Sequence, residues 1–118
     1  MNTKSHTASL VSSSDVNGTN VYGADGSEVG HIDHLMIDKE SGKVAYAVMG
    51  FGGFLGMGED HHPVPWDALR YDTSRHGFVT DITPEQLKGA PERRDDWHQD
   101  RAWEQRTFDH YGIPYYWI

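Results

Sequence analysis

The chain has 118 residues and a formal net charge of −8, which is material for one domain, two at most. It contains no cysteine, and this excludes disulfide frameworks, thiolate metal sites and thiol nucleophiles. No stretch is basic, so a nucleic-acid binder, which must neutralise phosphates with clustered Lys and Arg, is excluded as well.

Residues 1–17 hold five serines and two threonines with scattered apolar residues. Such a segment cannot bury enough surface to offset its ordering entropy, and a disordered arm is expected. The beginning of the chain lacks the apolar run of a secretory signal, and nothing approaches a membrane span. The expectation is a cytoplasmic protein. From residue 18 to 83, short apolar runs alternate with turn signals at Asp25-Gly26, Ser41-Gly42, a glycine cluster and His76-Gly77, which is an all-β pattern.

A first short strand is expected at 20–22. The segment 28–38 (EVGHIDHLMID) is the best strand, but its alternation slips. Ile32, Leu35 and Ile37 all want burial, and the odd step between the first two predicts a β-bulge near Asp33 or His34. The run 43–49 (KVAYAVM) carries no charge on either side after Lys43. It must therefore be covered on both faces, by its own barrel and an added helix or by a partner. Further strands are expected at 62–66 and 77–82, with a helical turn or short strand over 67–71. Pro63 and Pro65 lack a donor, which confines the first of these to an edge or a strand start.

Beyond residue 83 the period changes. Thr83-Pro84-Glu85-Gln86 is a capping box with proline at the first helical position, and Gly89 and Pro91 end that helix at once. A second helix is expected from Asp96 or Asp100 to Tyr111, with Trp103, Thr107 and Tyr111 along one face, Phe108 beside them, and Gly112 and Pro114 as its stop. The extension 84–118 is thus helical. It is also aromatic-rich, since seven of the fourteen aromatics fall in the last 22 residues.

The glycine cluster GFGGFLGMG at 50–58 invites a phosphate-cradle reading, but Leu55 and Glu59 stand where the dinucleotide and P-loop fingerprints need Gly and Lys. Phe51, Phe54, Leu55 and Met57 suit a hairpin folded back on the barrel end or a partner contact. The eight histidines suggest a metal or small-ligand sensor built from His31, His34, His61 and His62. Ligands must converge, however, and neighbours on a strand point to opposite faces. No nucleophile elbow or Ser-x-x-Lys motif is present. A non-catalytic chain without metal or cofactor is the expectation. The terminal rings, Trp97, Trp103, Tyr111, Tyr115, Tyr116 and Trp117, together with Trp66, read as contact surface for a protein partner or a second copy, or as a clamp on the chain's own barrel.

Val29-Gly30 and Ile32 entering the second strand, Asp38 with Gly42, Tyr46-Ala47-Val48, the Gly-Phe-Leu-Gly loop at 53–56, and Val64-Pro65-Trp66 with Leu69 form a recognisable set. Together they resemble the PRC-barrel family over residues 18–83. The YGIPYYW tail is similar to that of small stand-alone bacterial members. The resemblance implies a small, strongly bent β-barrel of five to six strands with a C-terminal extension. It also implies a module that binds other proteins, with no catalytic residues to carry over. Self-association is the expected mode, and membrane association would follow from family analogy alone.

Overall fold

The computed structural model describes residues 10–52, 59–91 and 97–117. Among these residues six strands form: β1 (Asn20–Tyr22), β2 (Glu28–Ile37), β3 (Val44–Gly52), β4 (Glu59–Pro65), β5 (Leu69–Asp72) and β6 (Gly77–Thr80). They make one mixed sheet in the order β4-β3-β2-β1-β6-β5, with β1 and β6 parallel and every other pair antiparallel. The segment 66–72, expected as a turn or a strand, supplies both, a 3-10 turn at Trp66–Ala68 leading into β5. The proline-bearing β4 lies at one edge, as its missing donors require.

Bulges curl this sheet into a half-barrel. Against β3, β2 slips between Ile32 and His34, where Asp33 is the extra residue predicted from the broken alternation. A second slip, not foreseen, lies between Met36 and Ile37 and leaves Ala45 extra on β3. Each slip bends the strand pair and raises its twist. The second one also overturns an expectation. Past it the pair leaves the core, so Ile37 is 53% exposed instead of buried.

Gly30 has a separate role. It pairs with Phe51 on β3, and a Cβ at this position would run into the Gly50 carbonyl. Only a residue without a side chain lets the two strands approach at this bend.

The inner face packs Val21, Ile32, Ala47, Met49, Val64, Leu69 and Phe78 together. Three helices add to that cluster. α1 (Ser13–Val16) brings Val16, 4% exposed, so the end of the segment expected to fray is tied into the core by one apolar side chain. α2 (Pro84–Lys88) begins with the expected capping box, in which the Thr83 hydroxyl accepts from Gln86 N and Gln86 reaches back to Thr83 N, and it brings Leu87. α3 (Arg101–Tyr111) starts at Asp100, whose carboxylate accepts from Trp103 N, and ends at Gly112 in the left-handed region with φ 70°.

Trp103, Thr107, Phe108 and Tyr111 are all buried along α3. Trp103 and Phe108 lie on the outer face of β3, against Ala45 and Tyr46. The run 45–49 is consequently buried on both sides, no residue more than 5% exposed. Of the two covers the sequence allowed, the one present is the chain's own barrel with an added helix.

Candidate functional site

The outer-face cluster is built around Tyr46. Its ring is met by Trp103 at 5.7 Å, Phe108 at 5.3 Å, Trp97 at 5.8 Å and Tyr116 at 6.1 Å. Aromatic contacts of this kind add about 0.5–1.5 kcal/mol each beyond area burial, so they fix α3 and the tail to the barrel.

A polar group is enclosed among these rings. On the first turn of α3, Arg101 and Glu104 share a side, as residues three apart do. Arg101 Nε donates to Glu104 Oε1 at 2.9 Å, and the Tyr116 hydroxyl donates to Oε2 at 2.7 Å. Glu104 is only 5% exposed. The Tyr46 hydroxyl is buried near the same carboxylate without the geometry of a hydrogen bond. Burial, and then the Glu104 carboxylate, push both phenols well above the ordinary tyrosine range. Burial alone pushes Tyr111 up to about 12. On the outside, the Arg101 guanidinium sits 3.9 Å over the Trp117 ring, and Trp117 stacks on Tyr115 at 4.6 Å and 8°. The Tyr115 hydroxyl donates to Asp109 at 2.8 Å.

Between this cluster and the β2–β3 turn lies an open cleft of about 600 Å³. Met36, Ile37 and Ala45 line one part, Tyr46, Trp97 and Tyr116 another, and Asp38, Glu40 and Glu104 supply carboxylates against Lys39 and Arg101. Sequence reasoning missed the polar half of this site. Its one legible signal was the Arg-x-x-Glu spacing on the predicted helix.

The histidines divide. His31 and His61 flank Gly50 on neighbouring strands, and the bulge brings Asp33 beside them. The Asp33 carboxylate bonds His34 Nδ1 at 2.6 Å and lies 4.0 Å from His61 Nε2. That contact with His34, foremost, holds the Asp33 carboxyl below the usual range. His62 pairs with Met49 instead and turns its ring to Phe51 at 5.6 Å. Among the described residues no group of three or more His, Cys, Asp or Glu side chains is placed to hold a metal ion. The alternative reading of His31, His34, His61 and His62 as a metal sensor thus finds no support among the described residues.

The expected contact residues fall into four sets. Trp103 and Tyr111, at 2% and 9% exposure, belong to the interior of this chain rather than its surface. Trp66 is half-buried, edge-on to Phe78 at 5.4 Å. Phe51, Trp97, Tyr115, Tyr116 and Trp117 are partly exposed. Phe54, Leu55 and Met57 lie outside the described residues.

The profile of the PRC-barrel domain matches residues 9–87, and the chain belongs to that family. No curated protein matches it. The match covers the whole barrel and ends within α2, before α3, so the cleft joins family strands to a segment beyond the matched residues. Among the described residues, no helix is long and apolar enough to cross a membrane.

Proposed function

We propose that the chain is a non-catalytic protein-interaction module of the PRC-barrel type that acts in the cytoplasm and associates with copies of itself. The supporting observation is the aromatic shelf at its C-terminus. The Tyr115–Trp117 stack under Arg101 remains partly exposed, and aromatic and Arg side chains are the ones that anchor protein interfaces. Phe51, Phe54, Leu55 and Met57 are included in the proposal as further contact residues.

Sedimentation velocity over a range of concentrations tests the reading, with Trp117→Asp and Phe54→Asp beside the parent. Trp103 is unsuited to such a test because it is buried. The parent is expected above monomer mass, and each variant to dissociate about thirtyfold more readily, as for loss of an interface anchor. A parent that stays monomeric throughout would refute self-association, and unchanged association of both variants would refute these residues as the contact.

A further inference from the structure

We propose that Asn17-Gly18 is a site of spontaneous deamidation whose rate is gated by the docking of α1. Asn17 is the single asparagine followed by glycine in the sequence. Glycine has no β-carbon to hinder its own amide nitrogen as that atom attacks the preceding side-chain carbonyl. The reaction balances with water alone. Gly18 N loses its proton and bonds to Asn17 Cγ, and the side-chain nitrogen leaves as ammonia. Water then opens the cyclic imide, to aspartate at the side-chain carbonyl or to isoaspartate at the main-chain carbonyl.

Both residues are exposed, so water reaches them, yet the folded backbone opposes ring closure twice. The Gly18 N–H donates to the carbonyl of Ile32 at 2.6 Å, which holds the attacking nitrogen against a fully buried residue. At Asn17 ψ is 130°, and in extended backbone the Cα hydrogen, not Cβ, lies beside the next nitrogen. Closure therefore requires rotation about the Asn17 Cα–C bond. β1 cannot follow that rotation, because it is paired with β2 on one side and β6 on the other. α1 must swing instead. It gives up two ties, Thr19 N to the Val16 carbonyl at 3.0 Å and the Thr19 hydroxyl to the Asp15 carbonyl at 2.9 Å. It also withdraws Val16, 4% exposed, from the inner-face cluster. Val16 is thus the latch of the neighbouring site.

Conversion makes the opening permanent. An isoaspartyl linkage adds a methylene to the main chain between α1 and β1, and a carboxylate to a chain already at −8. With its path lengthened, the chain no longer seats Val16 and the Gly18–Ile32 hydrogen bond together. This inference stands independently of self-association.

The test incubates the full chain in mildly alkaline buffer and follows Asn17 by mass spectrometry of the 5–39 tryptic peptide, with isoaspartate detected by enzymatic methylation. The parent is compared with itself in urea, with Val16→Ala, and with Val64→Ala, which removes the same methyl groups from the same core at β4 rather than at α1. Circular dichroism checks that both variants fold. We expect the folded parent to react about a hundredfold more slowly than the chain in urea, the weight of one buried valine and one backbone hydrogen bond. Val16→Ala should react about tenfold faster than the parent, and Val64→Ala at the parent's rate. In the isoaspartyl fraction the Val16 methyl NMR signals should leave their native positions. Equal rates in native buffer and urea, no acceleration by Val16→Ala, equal acceleration by Val64→Ala, or native Val16 signals in the isoaspartyl fraction would each overturn the proposal.

Discussion

Tyr116→Phe and Tyr46→Phe each remove one phenol oxygen from the same outer-face cluster, yet they should move stability in opposite directions. The Tyr116 hydroxyl donates to Glu104 at 2.7 Å, and that carboxylate is 5% exposed. Removing it deletes a hydrogen bond to a charged acceptor and leaves a buried carboxylate with one partner fewer. The expected cost is about 2 kcal/mol, or about 8 °C in Tm for a chain of this size. The Tyr46 hydroxyl is buried without a partner, so its removal gives up no hydrogen bond and relieves a desolvated polar atom. The expected result lies between no change and about 1 kcal/mol of added stability. Urea unfolding followed by tryptophan fluorescence at neutral pH measures both, provided the m-values agree so that the midpoints report stability alone. If Tyr46→Phe costs as much as Tyr116→Phe, the Tyr46 hydroxyl bonds Glu104 in solution, and the orphaned-hydroxyl argument fails.

Three more outcomes are expected. Because Tyr46, Tyr116 and Tyr111 hold their protons above the ordinary tyrosine range, the folded chain keeps protons that the unfolded chain releases. Their contribution is complete below about pH 10 and is lost as the pH rises beyond it, so thermal unfolding should show a falling alkaline limb and phenolate absorbance should lag that of free tyrosine. The Asp25 and Asp72 carboxyls are held below the usual range by the Ser27 and Ser74 hydroxyls and amides that bond them. Their contribution is present above about pH 4 and is lost as the pH falls below it through the lowered values of the folded state, so the Tm gap between the parent and a Ser27→Ala/Ser74→Ala variant should close in acid; a constant gap would contradict the assignment. Gly30→Ala should cost about 3 kcal/mol, read by urea midpoint, because the new methyl meets backbone that cannot rotate away.

The barrel was legible because its signals are local. Each turn carries its own chemistry, the break between Ile32 and Leu35 marks the first bulge, and a run without charge on either side demands cover on both. The second bulge was not legible, since nothing in the sequence from Met36 to Tyr46 distinguishes an extra Ala45 from a paired one. The same limit hid the cleft. Arg101 and Glu104 are a visible pair on a helix, but their meeting with Tyr46, more than fifty residues earlier, depends on how α3 lies across the sheet. Trp103 and Tyr111 show the converse error. Aromatic density near a terminus gives the same pattern whether the rings face a partner or the chain's own core, and here helical spacing placed these two inside.

Pro63 and Pro65 sit on the outermost strand at alternating positions. Both lack the amide hydrogen that an arriving strand would need. Backbone pairing with a further strand is therefore disfavoured at that edge, and any contact made there falls to side chains.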